Sequence, residues 1–177
     1  MDSSSYRIAP AASRHIPLLA GIERAAAEAF PGHLLPPEIR DGAIAPEKLE
    51  RARREGRLWV AVDEAGEPVG FLLAGEKGGT GFIAEVDVHP EHQGRGIGRR
   101  LIAAALDWAR ESGYPSLTLT TFASLPWNAP FYERIGFRRI AQEELSTSLS
   151  HQIAEEKKLG MRERVAMRYT IERKKHA

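Results

Sequence analysis

The stretch that most constrains this chain is residues 86–101, VDVHPEHQGRGIGRRL, where an apolar strand pattern passes through a glycine-rich turn into a helical pattern. Glycine lets the backbone adopt conformations that other residues avoid. The first amide hydrogens of a helix have no acceptor within the helix, and they carry a partial positive charge. Such a turn can bind a phosphate or pyrophosphate through main-chain amides. We expect Arg95, Arg99 and Arg100 to add mobile positive charge at its rim. A tight turn with solvated arginines is the alternative.

Two common phosphate-binding motifs do not fit this turn. A Walker loop requires lysine and then serine or threonine after its last glycine, and no lysine follows these glycines. The dinucleotide pattern GxGxxG fails as well, because its third glycine position is Arg99 when counted from Gly94 and Leu101 when counted from Gly96. The turn is therefore not typical of either nucleotide-binding class.

Strand and helix patterns alternate along the chain and predict an α+β fold in one domain over residues 1–177. The predicted strands are 6–9, 58–62, 69–74, 82–88, 117–122, 137–145 and 165–171. The predicted helices are 16–30, 46–55, 97–112, 127–135 and 148–159.

Side chains alternate in the strand 82–88, so its two faces differ. The face expected to pack in the core carries Ala84, Val86 and Val88. The opposite, acidic face carries Glu85, Asp87 and His89.

Composition excludes several classes of function. The formal charge of +1 argues against a nucleic-acid partner. The absence of cysteine excludes disulfides and thiolate chemistry, and it fits a cytoplasmic location. The histidines lack metal-ligand spacing, so we expect no metal site. No signal-like N-terminus and no apolar run of bilayer length is present, so we expect no membrane association. The end of the chain, 172–177, is expected to be a solvated tail.

Two segments resemble the signatures of one superfamily. Residues 88–98, VHPEHQGRGIG, are similar to the first motif of the GNAT superfamily of acetyl-CoA-dependent N-acyltransferases, and residues 127–137, WNAPFYERIGF, are similar to the second. The resemblance implies a three-layer α/β arrangement, in which helices flank a mixed, mostly antiparallel central sheet of about 6–7 strands. It also implies acetyl-CoA as cosubstrate, with no metal.

The resemblance assigns the contacts to coenzyme A. The pyrophosphate would lie on a loop formed by Gln93, Gly94, Arg95, Gly96, Ile97, Gly98 and Arg99. We call residues 93–99 the anion loop. The backbone of Val86 and Val88 would pair with the pantetheine arm, which Asn128 would also hold. The Val88 amide would donate to the thioester carbonyl, and one such donor contributes about 3 kcal/mol.

Tyr132 is the predicted general acid by the same resemblance. It lies four positions after Asn128, so both side chains share a helix face. A thiol has a pKa of about 8.5 and tyrosine of about 10, so proton donation to the departing thiolate is only mildly uphill. The alternative is a core aromatic residue whose hydroxyl caps a backbone group.

Glu85 is the predicted general base. Only about one lysine-like amine in a thousand is neutral at pH 7, so a group must remove the proton before attack. Asp87 and His89 share its face and are alternatives, as is a water held by Glu85. A solvated or ion-paired strand residue is an equally open interpretation of Glu85.

The acceptor site carries no motif. The resemblance places it in residues 30–51 and 146–164, and we expect a primary amine, of a small molecule rather than of a protein. No GxSxG occurs, which favours direct transfer in a ternary complex over an acyl-enzyme. A non-catalytic acyl-CoA sensor is the competing functional class. A homodimer is possible by resemblance.

Overall fold

The computed structural model describes residues 5–172, and within them seven strands form one sheet in the order β1-β2-β3-β4-β5-β7-β6. The strands are β1 (Arg7–Pro10), β2 (Leu58–Val62), β3 (Pro68–Lys77), β4 (Thr80–Val88), β5 (Ser116–Phe122), β6 (Arg138–Arg139) and β7 (Arg164–Thr170). The pairs β1–β2, β2–β3, β5–β7 and β6–β7 are antiparallel. Strands β4 and β5 are parallel and pair Gly81 with Leu117 and Phe82 with Thr118.

The helices are α1 (Ile16–Ala27), α2 (Pro37–Arg40), α3 (Pro46–Arg54), α4 (Ile97–Glu111), α5 (Ala129–Ile135) and α6 (Thr147–Lys158). Short 3-10 turns lie at Ser13–His15, Pro90–His92 and Gln142–Glu144. Among the helices between residues 5 and 172, none has both the length and the apolar character needed to cross a bilayer.

Helix α4 follows from its sequence pattern. Its buried side chains recur at helical spacing and are those of Ile97, Leu101, Ile102, Ala105, Leu106 and Ala109. Gly113 follows its last turn with a φ of 76°, a left-handed conformation that glycine adopts at low cost and that commonly ends a helix.

The chain divides into two compact units. The first contains residues up to Pro31, Pro37–Gly75 and Ile83–Ala105. Its core packs α1 and α3 against β2 and β3, through Leu19, Leu49, Val60 and Phe71 among others. Leu19, Val60 and Phe71 are fully buried, so the core between these helices and strands is closed to solvent.

The second unit contains Gly32–Pro36, Glu76–Phe82 and the residues from Leu106 onward. One of its cores is formed by Phe82, Ile140, Leu149 and Ala166. Helix α6 begins at Ser146, whose hydroxyl accepts a hydrogen bond from the Leu149 amide at 3.2 Å, so the sequence supplies its own N-cap.

Three expectations differ from the structure. The predicted strand 137–145 is wrong beyond Arg139: the Ile140 amide still bonds to Ala166, but the polar run after it forms a 3-10 turn. Helix α2, at Pro37–Arg40, lies where no helix was predicted. Ala84, expected in the core, is exposed. The tail prediction lies outside the described residues except for Glu172.

Candidate active site

The anion loop links the end of β4 to the start of α4. Strand β4 is followed by His89, whose amide donates to the Val69 carbonyl at 2.8 Å, and then by the 3-10 turn Pro90–His92. Gly94 and Gly96 follow with φ values of 73° and 75°. A β-carbon at either glycine would meet no atom within 4 Å, so backbone conformation and not space requires glycine there.

The start of α4 presents main-chain amides. The Arg100 amide donates to the Gly96 carbonyl at 3.1 Å, which is the bond that opens the helix. The amides of Ile97 and Gly98 precede it and therefore have no acceptor four residues back within the helix. The N-terminus of an α-helix favours negative charge, so this end of the anion loop suits an anion.

Tyr6 anchors two arginines of this region. The Arg95 guanidinium donates to the Tyr6 hydroxyl at 2.5 Å, and that of Arg100 donates to the Tyr6 carbonyl at 2.9 Å. The His92 ring nitrogen Nδ1 lies 2.8 Å from the same hydroxyl. The expectation of mobile charge is therefore wrong for Arg95 and Arg100. Sequence alone offered no signal for this, because the partners are far apart along the chain.

Strand β4 approaches β3 closely beside the loop. A β-carbon on Gly70 would lie 2.9 Å from the Asp87 carbonyl and 3.3 Å from Val88 Cγ2, so only glycine fits at residue 70. Val86 and Val88 are half-buried. The Gln93 side chain donates to the Val88 carbonyl at 3.0 Å and fastens the start of the anion loop to the end of β4.

Three carboxyl groups, from α1 and β4, lie near one another in the first unit. Burial, followed by the neighbouring charges of Glu85 and Glu23, raises the pKa of Asp87 well above its usual value. The Oδ2 atom of Asp87 is buried and has no hydrogen-bond partner in the described part of the chain. Burial likewise raises the pKa of Glu23, although its carboxylate accepts a 2.9 Å bond from the Ile44 amide. We call Glu23, Glu85 and Asp87 the carboxyl cluster.

The carboxyl cluster contains one residue that sequence reasoning missed. Period-two alternation in β4 predicted that Glu85 and Asp87 share a face, but nothing in the pattern of α1 marked Glu23. A carboxyl group that is shielded from water and lies near other carboxylates holds its proton more tightly, so its pKa is raised. Such a cluster can accept a proton from a substrate, or it can attract a substrate that carries a positive charge.

His89 caps the turn that follows β4. Its Nδ1 accepts a bond from the Glu91 amide at 3.3 Å. His89, Glu91 and His92 place possible metal-ligand atoms within 4.8 Å of one another. Because Nδ1 of both histidines already has a hydrogen-bond partner, these contacts support a structural role for the group. The expectation of no metal site stays a prediction.

The second unit presents the other predicted residues on α5. Asn128 is its N-cap residue and is 9% exposed, and its side-chain amide donates to the Trp127 carbonyl at 3.1 Å. Its Oδ1 atom is buried without a hydrogen-bond partner in the described residues. An orphaned buried acceptor is costly in a native protein. A ligand that donates an amide hydrogen, as pantetheine does, would satisfy it.

Tyr132 follows one turn later and is 7% exposed. Its amide donates to the Asn128 carbonyl at 3.1 Å, so the predicted helical relation of the two residues is present. The Tyr132 ring makes edge-to-face contacts with Phe131 and Phe137, at centroid distances of 5.2 and 5.7 Å. Gly136 then ends α5 with a φ of 119°.

Comparison with known proteins relates the chain to acetyltransferases. A model of the "Acetyltransferase (GNAT) family" matches residues 20–137. Among curated proteins, the peptidyl-lysine N-acetyltransferase YjaB of Salmonella typhimurium is 37% identical over 92 residues, covering 51% of this chain and 57% of that protein. Streptothricin acetyltransferase of Streptomyces lavendulae is 34% identical over 101 residues, covering 54% and 52%. The chain thus spans little more than half the length of these relatives.

Solved structures agree with these sequence matches. N-acetylglutamate synthase of Neisseria gonorrhoeae, solved with coenzyme A and N-acetylglutamate, superposes with a TM-score of 0.70 and 25% identity. The match covers 95% of this chain and 35% of that one.

Proposed function

This chain belongs to the acetyltransferase (GNAT) family, and from that membership we propose that it transfers the acetyl group of acetyl-CoA directly to a primary amine of a small cationic molecule. The anion loop carries the proposal, because two left-handed glycines lead directly into the first main-chain amides of α4. Coenzyme A offers a pyrophosphate, the group for which such a loop is suited.

The donor is held at two further points under this proposal. Main-chain groups of Val86 and Val88 pair with the pantetheine arm, and the Val88 amide donates to the thioester carbonyl. Asn128 Oδ1 accepts a hydrogen bond from a pantetheine amide, and its lack of a partner among the described residues supports this role. Arg95, held by Tyr6, contributes a fixed positive charge.

Proton transfer is assigned to two side chains. Glu85 takes a proton from the attacking amine, directly or through a water, and Tyr132 gives one to the departing thiolate. The raised pKa of Asp87 supports the base assignment, because a carboxyl cluster that holds protons more tightly is a better acceptor near neutral pH. Asp87 remains the alternative base.

The carboxyl cluster also favours an acceptor molecule that carries a positive charge. An amine reaches the enzyme mostly as an ammonium ion, and the neighbouring carboxyl groups of the cluster attract it. A small molecule with a second cationic group would gain most from this attraction. Cytoplasmic location and homodimer formation stay predictions.

A lysine side chain of a protein is the second candidate acceptor. The observation that favours it is the 37% identity to a peptidyl-lysine N-acetyltransferase over about half of this chain. The streptothricin relative is named for a small-molecule substrate instead, so the relatives alone do not decide between the classes.

Release of free thiol from acetyl-CoA tests both candidates. The purified chain is incubated with acetyl-CoA and with, in turn, a small diamine, a free amino acid and a lysine peptide with uncharged flanking residues, and the acetylated product is identified by its mass. Release fastest with the diamine supports the proposal, whereas release with the peptide alone would move the assignment to protein lysines. A rate equal to the blank across a broad amine panel would favour the acyl-CoA sensor.

A further inference from the structure

A cleft of about 440 Å³ lies in the second unit, where β6 and β7 pair. Three arginines line it, Arg138, Arg139 and Arg168, together with Tyr169 and the carboxylates of Glu144 and Glu172. None of these residues belongs to the anion loop or to the residues proposed to hold pantetheine. The proposed function therefore gives the cleft no role.

The three arginines differ in their partners. Arg139 is neutralised, because its Nε donates to the Glu133 carboxylate at 2.6 Å and its Nη2 to the Ala123 carbonyl at 3.1 Å. Arg138 and Arg168 form no ion pair or side-chain hydrogen bond with any residue in 5–172. The two lie directly opposite each other in the antiparallel ladder of β6 and β7.

Two like charges directly opposite on neighbouring strands destabilise a sheet. Charged residues are common on edge strands, where they prevent pairing with other chains, and this accounts for Arg138 on β6. It does not account for Arg168, because β7 lies between β5 and β6 in the sheet. Arg168 is also half-buried, which makes a charge without a partner less favourable than at the surface.

We propose that this cleft binds an oxyanion, a carboxylate or a phosphate, between the guanidinium groups of Arg138 and Arg168. Arginine donates paired hydrogen bonds in a fork that matches both groups. The anion would offset the repulsion between the two arginines. Because Glu144 and Glu172 line the same cleft, a ligand with one anionic group fits better than a polyanion.

Titration of the chain without acetyl-CoA tests the cleft independently of the proposed function. Inorganic phosphate and acetate are added separately at constant ionic strength against chloride, and backbone amide resonances are followed by NMR. We expect saturable shifts centred on residues 136–140 and 166–172. The anion that binds more tightly identifies the ligand class. Shifts that do not saturate, or that centre on the anion loop alone, would overturn the proposal.

Substitution separates binding from a structural role. Arg138→Gln with Arg168→Gln should weaken anion binding at least about tenfold, since hydrogen bonds to charged groups are lost. Arg162→Gln, which removes an exposed arginine of the same unit that does not line the cleft, should leave affinity unchanged. In chloride alone the double variant should melt no lower than the wild type, because a repulsion has been removed. Unchanged anion affinity in the double variant, or a lower melting temperature in chloride, would contradict the proposal.

Discussion

The Tyr132 ring packs edge-to-face against Phe131 and Phe137, so the ring should stay in place when its hydroxyl is removed. Tyr132→Phe should therefore lower kcat by about tenfold or more, the range for loss of a general acid, while affinity for acetyl-CoA changes little. Steady-state kinetics and calorimetric titration measure the two quantities.

The matched control for this variant is Tyr114→Phe, which removes a hydroxyl from a tyrosine of the same unit that packs on Trp108. It should retain wild-type turnover. Equal turnover in Tyr132→Phe and wild type would remove Tyr132 from the mechanism.

Asp87 should make stability depend on pH. Its folded pKa is raised, so its contribution is most favourable below the unfolded pKa of about 4 and is lost as pH rises through the folded value. Asp87→Asn should therefore melt higher than the wild type near neutral pH, and the difference should shrink in acid. Thermal unfolding at several pH values measures this.

Asp107→Asn serves as the comparison, since Asp107 is exposed and pairs with Arg110 at the surface. Its melting temperature should follow that of the wild type across the same pH range. A constant offset between Asp87→Asn and wild type at every pH would contradict the assignment of a raised pKa.

At the scale of single elements, the turn from β4 into α4 determines how the donor would be held. Gly96→Ala forces a side chain into a left-handed conformation, at a cost of about 1 kcal/mol. The loop should respond by changing its backbone angles, so affinity for coenzyme A should fall. Calorimetric titration measures that loss.

Gly113→Ala provides the control, because it introduces the same backbone strain after the end of α4, away from the anion loop. Gly113 has a φ of 76°, and a β-carbon at this residue would meet no atom within 4 Å. Both variants should lose similar stability, but only Gly96→Ala should lose affinity for coenzyme A. Equal affinities would remove the anion loop from the binding site.

A buried ion pair joins α6 to β5 and β7. Arg164 Nε donates to Glu156 at 2.8 Å, and Thr120 and Gln152 donate to the same carboxylate. Burial alone would raise the pKa of Glu156, but the hydrogen bond and charge of Arg164, with bonds from Gln152 and Thr120, lower it.

Arg164→Met should destabilise the protein by about 3 kcal/mol, because it leaves a carboxylate buried without its partner. Urea unfolding measures the change. Adding Glu156→Met should restore part of the stability. A double variant as unstable as Arg164→Met would show that packing and not charge is responsible.

The sequence predicted helices and strands well where residues close together along the chain determine the local structure. Strand β2 and the start of α4 fall where the sequence pattern placed them, because a short apolar run and the glycines of a turn act over a few residues. The length of strand β6 was overestimated because backbone pairing with β7 ends at the Ile140 amide, after which the polar residues Gln142–Glu144 form a 3-10 turn. Glu23, Gly70 and the Tyr6 contacts could not be predicted, since each depends on residues brought together only by folding.

At the scale of the whole molecule, two motifs were sufficient to predict the family and the GNAT fold, and both are confirmed. The predicted sheet of mixed, mostly antiparallel strands is confirmed as well. The acceptor could not be predicted, because the segments assigned to it lack any pattern tied to one chemistry. The roles of Tyr132 and Glu85 stay predictions.

Unfolding of the whole chain tests the expectation of one domain. Three of the boundaries between the two compact units fall within β3, β4 and α4, so each unit contains parts of continuous elements. Calorimetry should give a single transition with equal calorimetric and van't Hoff enthalpies. Acetyl-CoA at about 100 times its Kd should add about 2.7 kcal/mol of stability to that transition. Two separable transitions, of which acetyl-CoA shifts only one, would indicate two domains.

Tyr6, which precedes β1, links the N-terminal part of the chain to the arginines in and beside the anion loop. Its hydroxyl and carbonyl fix two guanidinium groups before any cosubstrate arrives. A shortened protein that begins after Tyr6 would lose both of these bonds, and its association with a diphosphate should be slower and weaker even though every motif residue was intact.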